Sequence, residues 1–579
     1  MLNVLKQLKI IIPKKEKKKL PIFLILSLAT MLLETVGIAM IIPLISAIIS
    51  NNIIYEYQIT KEVISYFGNP SREYILIYIM VIIVFVFLIK NILMGFFNWW
   101  QINFAHKMQL SISHEMYEKY MFMDYLFHTK TNTSILIRNT SSEPNSIGSA
   151  VLQIFSIISE GFIIFAIISF LIVYDPVINS IVIGSLLISC LIFYFLTKNK
   201  ITKWGEIRLN MSGQTLKDLT QGFGGIKDIK ILGKENYFIK LFKDHLSDLI
   251  KMNILMGFVR SVPKLLFELI GIMVVFFLIL LNVFYGDNSL EKMLITLSLF
   301  VVGFFKILPS VTRLVMAFQA LRYRAPSIIH LSEEIERINN VTKNKRIEFK
   351  NKKFHKQDPK SLQLKNVFFS YGDDLRGLNN VSFVQKPNTI LGVLGPSGSG
   401  KSTLINLILG LIKPLKGEIL FNDQNIFSDC ISWQKNIGYI PQSIYLIDDS
   451  IRNNIALGVK EEDIDLELIN KCIKMAELDN LISNLPKGLD TLVGERGARI
   501  SGGELQRIGI ARALYQSPKV LILDEATSAL DISTEKKILD TIYKLKEGKI
   551  IILISHRESI YDYCNTILKL NEGSIEVKK

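Results

Sequence analysis

The sequence predicts two domains in series: six transmembrane α-helices within residues 1–330 and, beyond a linker at 331–360, an α/β domain at 361–579. Three observations carry this. Apolar residues make up 49% of the 579 while charged residues still reach 21%, an average that fits one near-apolar half joined to one ordinary half. Six apolar stretches in the first half are each long enough to cross ~30 Å of hydrocarbon at 1.5 Å rise per residue. The second half alternates short apolar strands with helices, separated by glycine-rich turns.

The first span follows a lysine-rich start (Lys14, Lys15, Lys17, Lys18, Lys19) and runs from Leu20 to Ser50. It is longer than a signal-peptide core and lacks a small-residue cleavage site, so it reads as a retained anchor. The others lie at Tyr74–Asn98, Ile147–Tyr174, Val177–Leu196, Val262–Tyr285 and Met293–Ala317. The positive-inside rule places the N-terminus in the cytoplasm, and with it the long, polar, helix-forming segments 99–146 and 197–261. Short loops at Asp175-Pro176 and Gly286–Leu290 then face outward, as does Lys61–Phe67, which reads as a short interfacial helix. Four scattered cysteines (Cys190, Cys430, Cys472, Cys564) exclude a disulfide scaffold and a CxxC zinc or redox pair.

In the second half, Gly395-Pro396-Ser397-Gly398-Ser399-Gly400-Lys401-Ser402 fits GxxxxGK[ST], between an apolar strand (Thr389–Leu394) and a helix opening at Thr403. The glycines let backbone N–H groups wrap a phosphate, and the helix N-terminus adds positive potential. Lys401 is placed for the β/γ-phosphates of ATP, and Ser402 for Mg²⁺. The strand Val520–Leu523 ends in Asp524, a second position for Mg²⁺, and Glu525 follows where it would polarise a water. Ile500-Ser501-Gly502-Gly503-Glu504 opens a helix and forms a further anion cradle.

At this motif the sequence resembles the ABC transporter family, whose signature is normally LSGGQ; Ile500 and Glu504 depart from it. The resemblance implies an ABC-type ATPase domain and adds roles in order along the chain. Tyr371 matches the adenine-stacking aromatic, and Gln442 the glutamine that senses Mg²⁺ and links the ATP site to the membrane domain. Ser528–Asp531 matches the D-loop, with Asp531 at the nucleotide, and His556 the switch histidine at the γ-phosphate. Gly224–Lys230 and Glu235–Phe238 resemble a coupling helix that docks on the partner subunit. With one P-loop and one signature per chain, the resemblance implies a homodimer with two shared ATP sites, in a bacterial plasma membrane with the ATPase domain in the cytoplasm.

The cations inside the spans bear on the cargo. Lys90 sits in span two, Arg260 and Lys264 at the inner end of span five, and Lys306 and Arg313 in span six. Such residues normally face a cavity or a partner. Spacings of four (260/264) and seven (306/313) put each pair on one helix face. A cationic vestibule suits an anionic headgroup entering from the cytoplasmic leaflet. These positions resemble those of bacterial lipid-linked oligosaccharide flippases, which implies a pyrophosphate-linked lipid as substrate; a broad lipid or multidrug exporter is the same-class alternative, and an ATP-gated channel or regulatory protein the different-class one. The net charge of +15 is thereby located at the membrane surface and in the spans, and needs no nucleic acid.

Overall fold

The computed structural model describes residues 2–39, 72–174, 176–285, 290–342, 358–372, 377–527, 530–555 and 562–578. The chain divides into two compact units, Met1–Met123 with Lys130–Lys343, and Asp124–Thr129 with Asn344–Lys579. The expected outer helix Lys61–Phe67, the D-loop residues Ser528 and Ala529, and His556 lie outside the described residues.

Among the described residues of the first unit, the long helices are α1 (Leu20–Ala39), α2 (Arg72–Met121), α3 (Thr133–Tyr174), α4 (Pro176–Gly224), α5 (Glu235–Tyr285) and α6 (Leu290–Thr342). Each apolar stretch read from the sequence falls on one of them, as far as its residues are described. By length and composition, the stretches Lys15–Gly37, Met80–Met121 and Thr133–Ser169 are apolar enough to cross a membrane. Pro176 stands first in α4, where its missing N–H costs nothing. The polar segments on either side of the spans are continuations of these helices. A 50-residue helix such as α2 is ~75 Å long at 1.5 Å per residue, more than twice the hydrocarbon thickness.

Packing within the unit uses large aromatic side chains and close backbone approach. Phe23 of α1 stacks on Phe155 of α3 at 4.1 Å between ring centroids and on Phe97 of α2 at 5.8 Å. Gly271 of α5 lies under the Phe304 ring of α6, and a Cβ there would meet the ring at 2.1 Å, so only glycine allows this crossing.

The second unit holds two sheets. A four-stranded antiparallel sheet has the order β2 (Gly377–Gln385), β1 (Leu362–Ser370), β4 (Lys416–Phe421), β5 (Gln424–Asn425). A six-stranded sheet has the order β10 (Ser574–Lys578), β9 (Thr566–Asn571), β3 (Thr389–Leu394), β8 (Ile550–Ile554), β7 (Val520–Asp524), β6 (Ile437–Ile440), and is parallel from β9 to β6. Its strands β7 and β8 are buried on both faces, which explains their unbroken apolar runs. The helices that frame the site are α7 (Lys401–Ile408), α8 (Gly502–Tyr515) and α9 (Ile532–Lys544).

Candidate nucleotide site

Strand register assembles the site. Val393 of β3 and Asp524 of β7 both pair with Ile554 of β8, and Ile440 of β6 pairs with Leu523. The P-loop, Asp524-Glu525 and Gln442 therefore emerge at one edge, the carboxyl ends of parallel strands, where open α/β sheets bind ligands. His556 follows β8 by two residues in sequence.

The P-loop turns through Gly398 (φ 82°) and Gly400 (φ 103°), a backbone region that side-chain-bearing residues rarely enter. A Cβ on Gly398 would meet no atom within 4 Å, so the loop encloses open space. Lys401 is buried and folds its Nζ back to donate to the carbonyls of Gly395 at 2.8 Å and Pro396 at 3.0 Å. Burial lowers its pKa, against the opposing pull of Glu525 and Asp524. Ser399 is buried and its Oγ has no hydrogen-bond partner, while Ser402 is exposed. An orphaned hydroxyl, a glycine-rich turn at a helix N-terminus and a lysine held only by loop carbonyls fit a phosphate chain. The oxygens of Ser402, Asp524 and Gln442 form a hard donor set that suits Mg²⁺.

The acids occupy contrasting settings. Asp524 is partly buried; burial raises its pKa, opposed by the Tyr439 hydroxyl, which donates to Oδ2 at 3.3 Å. Glu525 sits at φ 48°, an uncommon conformation for a non-glycine residue, with its N–H donating to the Ile554 carbonyl at 2.9 Å. Gln442 is exposed and donates Nε2 to Glu525 Oε2 at 2.7 Å. Tyr371 is exposed and packs edge-on against Phe369 at 4.9 Å, leaving its outer face open.

The signature segment starts α8 with a capping box. Glu504 Oε2 accepts from the Ser501 N–H at 2.8 Å, and the Glu504 N–H donates to Ser501 Oγ at 3.4 Å. Ser501 and Gly502 are exposed, and among the described residues no hydrogen bond joins them to the P-loop. Asp531 caps α9, accepting from the Thr534 N–H at 2.9 Å, and its carboxyl is held well below the usual range chiefly by the hydroxyl of Ser533.

In the membrane unit the five expected cations do not form one unpaired cluster. Lys90 is buried and ion-paired with Glu34, joining α1 to α2. Arg313 grips Glu160 of α3 with two nitrogens, the NH2 contact being 3.2 Å. Lys264 pairs with Glu268 along α5 at 3.9 Å. Arg260 is half-buried, and the Lys306 side chain lies outside the described residues.

Sequence reasoning missed two features. Tyr439, the partner of Asp524, was readable only as the half-buried position of a short strand. The six-residue stretch Asp124–Thr129 belongs to the nucleotide unit, where Leu126 packs against the core formed by β1, β3 and α7; it is too short and too ordinary to stand out.

Comparison with known proteins agrees with this geometry. The family described as "ABC transporter" matches residues 378–528, and that described as "ABC transporter transmembrane region" matches 22–308. An export ATP-binding/permease protein of Rickettsia prowazekii is 42% identical over 221 residues, 38% of each chain. An ATP-dependent lipid A-core flippase of Saccharophagus degradans is 40% identical over 215 residues, 37% of this chain and 36% of its own. The chain thus spans less than two-fifths of the length of these curated relatives. A solved bacterial Atm1-family ABC exporter with ATP bound shares the fold at a TM-score of 0.74 and 21% identity, covering 96% of this chain and 94% of that one.

Proposed function

Because the chain belongs to the ABC transporter family, we propose that it is an ATP-driven flippase, a homodimer moving an anionic lipid from the cytoplasmic to the outer leaflet. The observation that carries the ATPase part is the convergence of the P-loop, Asp524, Glu525 and Gln442 at one strand edge. In this reading ATP lies on Gly395–Thr403 with its adenine on Tyr371, and Mg²⁺ is held by Ser402, Asp524 and Gln442. The metal neutralises charge that develops on the phosphates. Glu525 activates the attacking water, His556 contacts the γ-phosphate, Asp531 lies at the nucleotide in the D-loop, and Ser501–Gly503 complete the site from across the dimer.

The homodimer is supported by an exposed apolar tip. The short helix Ile226–Leu232 ends on Gly233, and Phe223, Ile231, Leu232 and Tyr237 around it are all more than half exposed. By contrast, Asp124–Thr129 is already packed within its own nucleotide unit. A six-span topology in a bacterial plasma membrane then leaves the first tip to the partner copy.

For the cargo, the relatives named lipid A-core flippases and the inner-half cations Arg260, Lys264, Lys306 and Arg313 favour a phosphorylated headgroup, and we assign a pyrophosphate-linked oligosaccharide lipid. Lys90 is better read as structural, since it is buried against Glu34, whereas Lys264 and Arg313 keep exposed faces beside their acids. Reconstitution in liposomes with lipid-linked oligosaccharide in the inner leaflet tests this. ATP-dependent exposure of the glycan to an added glycosidase is expected; exposure of lipid A-core alone, or of neither, overturns the assignment.

A further inference from the structure

The membrane unit contains a cavity of about 450 Å³ between α3, α4 and α6 that none of the cations discussed above lines among the described residues. Its walls are apolar, with Ile168, Leu186 and Val311 representing the three helices. Its volume falls in the range of small-molecule sites, roughly 300–1,000 Å³. One end is different. Tyr194 and Lys198, one turn apart on α4, and Gln319 and Arg322, one turn apart on α6, line it together. Arg322 NH2 donates to the Tyr194 hydroxyl and its guanidinium lies 4.8 Å from the Tyr194 ring, tying the two helices at that end.

This polar end is incompletely satisfied. Gln319 is 5% exposed, yet neither its Nε2 nor its Oε1 has a hydrogen-bond partner, and Arg322 Nε is equally buried and unpartnered. Among the described residues neither Lys198 nor Arg322 has a carboxylate partner; Lys198 Nζ sits 4.5 Å from the Phe195 ring. Leaving a buried polar group without a partner costs about 1–3 kcal/mol, so such groups normally meet a ligand or water. An apolar chamber ended by two unneutralised cations, a free amide donor and a free amide acceptor is complementary to one kind of molecule. That molecule is an acyl chain joined to an anionic phosphate with a hydroxyl beside it.

We propose that this cavity is a resident lipid site that takes one acyl chain of an anionic glycerophospholipid. The headgroup phosphate meets Lys198, Arg322 Nε and Gln319 Nε2, and a headgroup hydroxyl donates to Gln319 Oε1. The membrane topology proposed above puts this end at the cytoplasmic surface, so the lipid comes from the inner leaflet. The site is separate from the cargo cations, and its lipid stays while cargo moves.

The full-length protein, delipidated in dodecylmaltoside, is titrated with phosphatidylglycerol or phosphatidylcholine and the retained lipid counted by native mass spectrometry. Preferential retention of phosphatidylglycerol is expected. Lys198→Glu should weaken it by at least roughly fivefold, the effect of one cation near a headgroup, without changing phosphatidylcholine retention. Leu314→Trp, which fills the chamber, should remove both. Should the tryptophan variant fail to fold, the charge reversal still decides. Equal retention of both lipids by the unmodified chain, unchanged phosphatidylglycerol retention in Lys198→Glu, or displacement by equimolar dodecanoate would overturn the proposal. Lipid retention without glycan translocation would instead sink the flippase assignment and leave this site standing.

Discussion

Gln442 donates its side-chain amide to the carboxylate of Glu525 at 2.7 Å, and this single bond joins the loop after β6 to the loop after β7. The residue is held at its backbone as well, since its N–H donates to the Ile554 carbonyl at 2.9 Å. In the role proposed for it, a carboxylate so held is oriented before any water arrives. Glu525→Gln keeps the shape and removes the base. Hydrolysis should fall by roughly 10²–10⁴-fold while binding of a fluorescent ATP analogue is retained. Near-normal turnover in that variant would remove Glu525 from its assigned role.

Asp524 makes a different prediction because its environment opposes its charge. Its folded pKa is raised by burial. A raised carboxyl pKa means stability is fully present below the unfolded value and is lost as pH rises through the folded one. Above that folded pKa the ionised group is therefore a liability in the nucleotide-free protein. Asp524→Asn should raise the Tm of that state and abolish the extra stabilisation given by Mg²⁺ with ATP. A lower Tm in the absence of ligand would contradict the burial argument.

The departure from the family signature at Glu504 has a local cause. Its carboxylate accepts the N-cap N–H of α8, so the negative charge is spent on the positive end of that helix. Glu504→Gln keeps the bond and loses only the charge–dipole part, about 0.3–1 kcal/mol. Ser501→Ala removes the reciprocal cap and costs about 0.5–2 kcal/mol. Urea unfolding followed by tryptophan fluorescence should rank the wild type above Glu504→Gln and that above Ser501→Ala; the reverse order would show that the box does not stabilise α8.

Much of the nucleotide site was legible because it is local. The P-loop, the Asp524-Glu525 pair and the Ser501 cap are short contiguous strings whose chemistry depends on one strand end or one helix start. The membrane half resisted for the opposite reason. Whether Lys90 is free or paired is decided by Glu34 on another helix, and the partner of Arg313 is 153 residues away. Spacing along one helix showed that Arg260 and Lys264 share a face, but nothing in it located Glu160 beside Arg313. The long segments after the spans read as loops with helical character and are instead the same helices continued.

The thiol of Cys564 gives a check on the packing of β3. It lies against Gly392, where a Cβ would come within 2.8 Å of Sγ, and burial pushes its pKa up to about 12. Since the thiolate is the reactive form, the folded protein should resist iodoacetamide at this residue at pH 8 and accept it in guanidinium. Rapid labelling without denaturant would show that the packing of Cys564 against β3 opens.

The Arg313–Glu160 pair separates a structural role from a cargo role. Arg313 is about half exposed while Glu160 is largely buried, so the guanidinium presents one face to open space and the other to its acid. If the pair only holds α3 to α6, either neutralisation destabilises and both lower activity. If the open face meets an anionic headgroup, the two changes have opposite signs. Glu160→Gln unmasks the cation and should lower the concentration of anionic lipid that half-maximally stimulates ATP hydrolysis, by roughly fivefold for one uncompensated charge. Arg313→Gln should abolish the stimulation and leave the basal rate. Parallel losses in both variants would assign the pair to packing and leave the vestibule to Lys264 and Lys306.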